Sequence, residues 1–131
     1  MHEHVAIVGH EAVAALRGRT KRIETRFYRR RRAPVGSIHA GDRIHFKITG
    51  GPIIGTSGVV AVREFADLSP ASLRRLRALY GTSVRASARY WAARARCRYG
   101  VLIWLGSLHA PASAIRIPRQ YGTAWIVLRR R

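Results

Sequence analysis

The order of strand-like and helix-like segments constrains the fold of this 131-residue chain more than any other feature. Polar and apolar residues alternate in "KRIETRFY" (21–28) and in "RIHFKIT" (43–49), which is the pattern of strands with one buried face. Apolar runs predict further strands at 4–8, 53–65, 101–108 and 123–128. Helices are predicted at 9–19, at 69–81 with Ser69 as N-cap and Gly81 as the end, and at 83–99.

The resulting order is one strand, one helix, three strands, two helices and two strands. Strands and helices do not alternate as units, so a doubly wound parallel sheet is disfavoured. We predict an α+β fold, a small, mixed but mostly antiparallel β-barrel or curled sheet flanked by about three helices. We expect a single domain over residues 1–131, with a basic loop at 29–33 and a short basic tail at 129–131.

The charge of the chain points to an anionic partner. The sequence has 25 Lys and Arg but six Asp and Glu, giving a net charge of +19 and a pI of about 11.9. Such an excess attracts polyanions, and nucleic acid is the expected partner. The alternatives are an anionic membrane surface and a genomic bias toward arginine without function.

Three features favour a soluble cytoplasmic protein. No stretch of about 18 apolar residues could span a membrane. The first residues, "MHEHVAIVGH", lack the basic start of a signal peptide, and the single cysteine, Cys97, cannot form an internal disulfide.

One short stretch, "GRTKRIETRF" (18–27), departs from the composition of the chain, because it contains Lys21, one of two lysines, and Glu24, one of six acids. Glu24 and Arg26 share a strand face, whereas Lys21 lies out of phase at the start of the strand. A lysine in a cleft can act as base or nucleophile, which an arginine cannot. If Lys21 and Glu24 serve a cleft as a partly exposed pair, we expect Lys21→Ala and Glu24→Gln to leave the fold intact. The alternative is a surface ion pair on an exposed strand face, worth about 0–1 kcal/mol.

The stretch "GRTKRIETR" resembles the signature of ASCH domains in the PUA-like superfamily, a glycine followed by Lys-x-x-Glu-x-Arg. Lys21, Glu24 and Arg26 match, and Gly18 stands one residue farther from the lysine than usual. The segments "HAGDRIHFKI", "GVVAV" and "YGTAWIVL" are similar to later family segments in the same order, so the resemblance covers about residues 4–128. It implies a small barrel with a cleft that the motif lines.

The resemblance also implies activities. Family members bind RNA or nucleotides, some are reported as ribonucleases, and one branch removes the acetyl group of acetylcytidine with a lysine of the motif, a nearby threonine and a later glutamate. Lys21 matches that lysine, but Glu24 stands where the branch has its threonine, and Thr25 faces the other way. Since no acid follows Asp67, only Glu64 or Asp67 could be the later acid.

The predicted site follows from the motif and from the basic segments. The candidate ligand-binding residues are Lys21, Glu24, Arg26, Tyr28 and Ser57, of which Lys21 and Glu24 would be catalytic in an enzyme. The candidate nucleic-acid-binding residues are Arg22, Arg29, Arg30, Arg31, Arg32, Arg85 and Arg89. Tyr28 is the candidate for base stacking, whereas Trp91, Trp104 and Trp125 are predicted to lie in the core.

The charge and the resemblance together therefore favour a nucleic-acid-binding module, for RNA in particular, whose cleft receives a nucleotide or base. An enzyme on RNA or a modified nucleoside, either a ribonuclease or an amidohydrolase, is the alternative. A structural basic protein within a larger ribonucleoprotein is the third interpretation. No cofactor is expected, and no Cys/His spacing predicts a metal site.

Overall fold

The computed structural model describes residues 1–111, 115–118 and 123–128, and its elements follow the predicted order. They are β1 (Glu3–Val8), α1 (His10–Arg17), β2 (Ile23–Tyr28), β3 (Arg43–Ile48), β4 (Ile53–Phe65), α2 (Pro70–Val84), α3 (Ala88–Ala93), β5 (Tyr99–His109) and β6 (Trp125–Leu128). The predicted tail 129–131 and most of the loop predicted before the last strand lie outside the described residues.

The strands form one mixed sheet in the order β2-β5-β4-β3-β1-β6. β1 runs parallel to β3, and the other neighbouring strands are antiparallel. The long strand β4 has register irregularities on both sides of Val59, and such bulges bend and twist a strand. The sheet curls into a half-barrel with three helices in the described part of the chain, which confirms the predicted α+β, mostly antiparallel fold.

Hydrophobic residues cover both faces of the curled sheet. The concave face holds one core cluster, centred on Ile44, Phe46 and Ile103, and residues Val35 and Ile38 of the loop after β2 pack into it. The convex face of β2 and β5 carries a second cluster built with α2 and α3 (Ile23, Phe27, Leu68, Leu73, Leu76, Val84, Trp91, Cys97 and Leu102). The prediction that β2 is only half buried is therefore wrong, because helices cover one face and the half-barrel interior receives the other.

Two helix boundaries also differ from the prediction. Ser69 is the N-cap of α2, as predicted, but the helix continues through Gly81 to Val84 and ends at Arg85, which has the left-handed φ of 58°. The predicted helix 83–99 is reduced to the six residues of α3, with Ser87 as N-cap. A glycine inside a helix costs about 1 kcal/mol relative to alanine, which tertiary contacts can offset.

The predicted core positions of the tryptophans are confirmed for Trp91 and Trp125, which are 6% and 3% exposed. Trp104 is partly buried and packs edge-on against Tyr80, with 5.5 Å between ring centroids. Among the described residues, no helix is long and apolar enough to cross a bilayer.

Candidate functional site

The three motif residues converge on the carboxylate of Glu24. Its Oε1 lies 3.6 Å from Nζ of Lys21, and its Oε2 lies 3.4 Å from Nη2 of Arg26. The main-chain N–H of Thr25 donates a hydrogen bond to Oε1 at 2.9 Å. Because Lys21 and Glu24 are only 8% and 4% exposed, the alternative of an exposed surface pair is wrong. We call Lys21, Glu24 and Arg26 the motif network.

Glu24 remains ionised in this environment. Burial by itself raises the pKa of its carboxyl group, but the attraction of Lys21 and Arg26 and the hydrogen bonds from Thr25 and Arg26 outweigh that cost. The net effect lowers the pKa of Glu24 below its ordinary value. The motif network therefore holds a buried carboxylate between two cations.

Lys21 ties the network to the end of α2. Its Nζ donates a hydrogen bond to the carbonyl of Val84 at 2.7 Å, and the N–H of Arg22 donates to the carbonyl of Ser83 at 2.8 Å. The last carbonyls of a helix lack partners within it and carry partial negative charge, so a cation stabilises them. These bonds account for the extension of α2 past Gly81.

The geometry also accounts for a lysine in an arginine-rich chain. A compact ammonium group can lie between a helix carbonyl and a carboxylate, whereas a planar guanidinium group needs more room and a different arrangement of acceptors. With its side chain 7% exposed, Lys21 has little surface to offer a ligand.

Arg26 ties the network to the far edge of the sheet. Its Nη2 donates to the carbonyl of Ile7 at 3.2 Å, and its Nη1 donates to the carbonyl of Ala124 at 3.3 Å. Its Cζ also lies 5.1 Å from the ring centroid of Trp125. Since β2 and β6 are opposite edges of the sheet, the guanidinium group bridges the open side of the half-barrel.

A polar cavity of about 230 Å³ lies beside this bridge, between β2 and α3. We call it the β2–α3 cavity. Its lining residues come from β2, the basic loop, α3 and the segment before β6: Thr25, Arg26, Phe27, Tyr28, Arg32, Tyr90, Arg94 and Ala124.

Two arginines of the cavity lining contact tyrosine rings. The Cζ of Arg94 lies 3.6 Å from the ring centroid of Tyr90, and its Nη1 donates to the carbonyl of Tyr90 at 3.1 Å. The Cζ of Arg32 lies 5.2 Å from the ring centroid of Tyr28. Both distances are within the range of cation–π attraction.

Hydrogen bonds fix Tyr90 in the wall of the cavity. Its hydroxyl lies 2.6 Å from Oγ1 of Thr25 and donates to the carbonyl of Thr25 at 3.2 Å. Burial raises the pKa of Tyr90, so the hydroxyl keeps its proton. Thr25 therefore faces α3, away from Glu24, as predicted from strand alternation.

The structure separates the predicted ligand-binding residues into three groups. Arg26 and Tyr28 line the β2–α3 cavity, whereas Lys21 and Glu24 are absent from its lining. Ser57 lies on β4 opposite Ile44, and its buried Oγ has no hydrogen-bond partner among the described residues. It does not line the β2–α3 cavity.

The predicted nucleic-acid-binding arginines are exposed at the surface (Arg22, Arg29, Arg30, Arg31, Arg32, Arg85 and Arg89). Arg32 also lines the β2–α3 cavity, and Arg85 lines a separate cavity of about 680 Å³ with Glu11 and Arg77. Sequence reasoning missed Tyr90 and Arg94 as site residues. Their spacing of four on a helix, which brings two side chains together on one face, was the signal.

The structure distinguishes the two candidates for a later acid. Glu64 on β4 pairs with Val101 on β5, and Val101 pairs with Arg26 on β2. Glu64 therefore lies in the same row of the sheet as Arg26, two strands and roughly 10 Å away from it. Its carboxylate accepts a hydrogen bond from the N–H of Gly36 in the loop after β2. Asp67 lies beyond β4 and faces Arg98 at 3.8 Å in an exposed pair.

Comparison with solved structures identifies the same architecture elsewhere. The crystal structure of ASCH from Zymomonas mobilis is similar over 97% of this chain and 87% of that chain, with a TM-score of 0.70 and 20% sequence identity. A serine-to-alanine mutant of that protein is similar over 97% and 88%, with a TM-score of 0.69 and 22% identity. The hypothetical protein PH0355 is similar over 77% and 94%, with a TM-score of 0.53 and 18% identity.

No family model matches the chain, and no curated protein matches its sequence. The structural likeness and the architecture define a small α+β half-barrel. More particularly, the chain has the fold of ASCH domains. The resemblance of "GRTKRIETR" to the ASCH signature is thus confirmed at the level of the fold.

Proposed function

We propose that this protein is an ASCH-type module that binds nucleic acid, RNA in particular, and that its β2–α3 cavity receives one nucleotide or base. The observation that carries the proposal is the lining of that cavity, where Arg26, Arg32 and Arg94 surround Tyr28 and Tyr90. Tyrosine rings and guanidinium planes stack on bases, and guanidinium groups bind phosphates.

The charge of the chain supports the proposal. A net charge of +19 draws a polyanion to the surface, and the exposed arginines of the loop Arg29–Arg32 lead to the cavity through Arg32. Phosphate contacts of this kind contribute affinity without sequence preference, whereas the cavity contributes recognition of the base.

We assign Lys21 and Glu24 positioning roles in this proposal. Their side chains are buried and form an ion pair with each other. Glu24 also pairs with Arg26, whose guanidinium group does line the cavity. The alternative function, a ribonuclease or an acetylcytidine-type amidohydrolase, needs a lysine that reaches the substrate. The bond from Lys21 to Val84 and its burial favour binding over catalysis.

The salt dependence of RNA affinity tests the proposal. A labelled single-stranded RNA is titrated with the protein, and fluorescence anisotropy gives Kd over a series of salt concentrations. Each neutralised phosphate contributes a slope of about −0.7 in log K against log salt for single strands. We expect a steep plot for the wild-type protein.

The quadruple variant Arg29, Arg30, Arg31 and Arg32→Ser is expected to bind more weakly and to lose up to about three units of that slope. A matched control removes four exposed arginines outside the cavity lining (Arg17, Arg43, Arg74 and Arg75→Ser). The control changes the net charge equally, so it should retain more affinity and more slope. A flat salt plot for the wild type, or equal losses in both variants, would contradict the proposed interface.

A further inference from the structure

The main chain of β2 presents hydrogen-bonding groups that the sheet does not use. β2 is an edge strand and pairs only with β5 among the described strands. The carbonyl of Arg22 accepts from the N–H of Leu105 at 2.9 Å, and the carbonyl of Tyr28 accepts from the N–H of Arg98 at 3.0 Å. Because the main-chain groups of an antiparallel strand alternate in direction, those of Ile23, Thr25 and Phe27 point away from β5.

The groups of Thr25 are already occupied. Its N–H donates to Oε1 of Glu24 at 2.9 Å, and its carbonyl accepts from the hydroxyl of Tyr90 at 3.2 Å. The motif network and α3 therefore occupy both main-chain groups of β2 at Thr25, so no further strand can pair there. An exposed row of main-chain groups, of the kind that pairs with another strand, does not continue through Thr25.

Phe27 is the next residue that faces outward, and it lines the β2–α3 cavity. Phe27 as a whole is 6% exposed, and its ring packs against Trp91 with 5.8 Å between ring centroids. Because the ring packs into the cluster with α2 and α3 and the main-chain groups point away from β5, the main-chain N–H and C=O are the part of Phe27 directed to the cavity. No side chain or loop in the described part of the chain hydrogen-bonds to either group.

We propose that the N–H and C=O of Phe27 bind the Watson–Crick edge of an unpaired base, so that the cavity selects single-stranded RNA over duplex. This inference rests on the proposed function. Each RNA base carries a donor beside an acceptor on that edge, such as N3–H beside a carbonyl oxygen in uracil. The N–H and C=O of one strand residue form the complementary pair, as they do toward a residue of an opposite strand.

The lining and the size of the cavity favour a base as the occupant over a peptide strand. Arg26, Arg32 and Arg94 supply positive charge that a neutral peptide does not need, and Tyr28 and Tyr90 supply rings for stacking. The cavity of about 230 Å³ is smaller than the roughly 300–1,000 Å³ of sites for larger ligands. Since the main-chain groups of Thr25 are occupied and Ile23 does not line the cavity, Phe27 is the outward-facing residue of β2 with free main-chain groups at the cavity, which suits one base.

The experiment changes the ligand, because no side-chain substitution removes a main-chain group. Anisotropy at one salt concentration compares three labelled probes of equal length: oligouridine, oligo-N3-methyluridine, and oligouridine paired with oligoadenosine. The N3-methyl group blocks the donor on the base edge without changing the phosphate charge. We expect about fivefold or greater weakening for the methylated probe and for the duplex, as a lost and unsatisfied hydrogen bond predicts.

Amide hydrogen exchange at Phe27 gives a direct readout on the same protein. Oligouridine should slow exchange of the Phe27 N–H, and the methylated probe should not. The variant Arg94→Gln should weaken binding of both single strands and bring their affinities closer, because the base loses one wall of the cavity.

The outcomes separate this inference from the proposed function. Equal binding of the methylated and unmodified probes with a steep salt dependence would overturn base-edge recognition and leave RNA binding standing. Equal binding of duplex and single strand would overturn the selection. Salt-independent or absent binding of all three probes would refute the proposed function itself, and protection of Phe27 by an extended peptide alone would replace the base with a strand.

Discussion

Replacing Glu24 with glutamine tests whether the motif network stabilises the fold. The change removes the charge of a carboxylate that is 4% exposed and lies 3.6 Å from Nζ of Lys21 and 3.4 Å from Nη2 of Arg26. Breaking a buried ion pair by removing one partner typically costs about 3–5 kcal/mol, because a charge is left uncompensated. The expectation from the sequence, that such a change leaves the fold intact, assumed a partly exposed pair.

Three contacts set the expected cost near the lower end of that range. The amide oxygen of glutamine can still accept the N–H of Thr25, as Oε1 does at 2.9 Å. Arg26 keeps its bonds to the carbonyls of Ile7 and Ala124, and Lys21 keeps its bond to Val84. We therefore expect Glu24→Gln to lower the free energy of unfolding by about 3 kcal/mol at pH 7.

Urea denaturation followed by tryptophan fluorescence measures this loss, with the m-value as a check on two-state unfolding. The double variant Lys21→Met/Glu24→Gln should be more stable than Glu24→Gln alone, because it leaves no unpaired ammonium. Asp67→Asn is the matched control, since the Asp67 side chain is 92% exposed and its pair with Arg98 spans 3.8 Å. The control should unfold like the wild type.

The pH dependence supplies a second test. The folded protein lowers the pKa of Glu24 below its ordinary value of 4.5, so the carboxylate contributes stability above pH 4.5 and loses it as the pH falls toward the folded pKa. The difference between wild type and Glu24→Gln should shrink below pH 4.5. A loss smaller than about 1 kcal/mol at pH 7 that stays constant below pH 4.5 would refute this account.

Three other positions give sharp expectations. Burial lowers the pKa of His4 below 6.5, so the unfolded chain takes up a proton before the folded protein does as the pH falls. The free energy of unfolding should therefore decrease below pH 6.5, by at most about 1.4 kcal/mol per pH unit. Urea titrations of wild type and His4→Gln check this, and an equal slope in both would count against it. A Cβ on Gly100 would overlap Cδ1 of Phe27, so Gly100→Ala should cost about 1–3 kcal/mol in thermal unfolding, whereas Gly58→Ala, with nothing within 4 Å, should cost little. Incubation with acetylcytidine or short RNAs should give no product that depends on Lys21, and turnover abolished by Lys21→Ala would establish the enzyme alternative instead.

The buried pair of His4 and Asp42 shows what a residue pattern leaves undecided. Nε2 of His4 lies 2.9 Å from Oδ2 of Asp42, and the indole N–H of Trp125 donates to Nδ1 of His4 at 3.1 Å. Because an indole can only donate, Nδ1 accepts and Nε2 carries the proton. The terminal "HEH" therefore contains a neutral histidine that joins β1 to β6, 121 residues apart, and the chain order alone does not bring these residues together.

Local periodicity was sufficient for the element order, and a short motif followed by similar segments in the same order was sufficient for the family resemblance. Alternation marked β2 and β3, Ser69 marked the start of α2, and the motif placed Lys21, Glu24 and Arg26 near one another. These features depend on neighbours within a few residues, so they can be predicted without the fold.

The sequence by itself determined the order of the elements, the strong positive charge and the grouping of the three motif residues. Only the tertiary structure decided that Glu24 is buried and that Lys21 donates a hydrogen bond to Val84 at the end of α2. It also brought Tyr90 and Arg94 into the same cavity lining as Tyr28. Burial of β2 on both faces depends on distant parts of the chain, because helices that follow it by more than forty residues cover one face and the half-barrel interior receives the other. Alternation along a strand distinguishes its two faces, but it does not reveal whether another part of the chain covers the polar one.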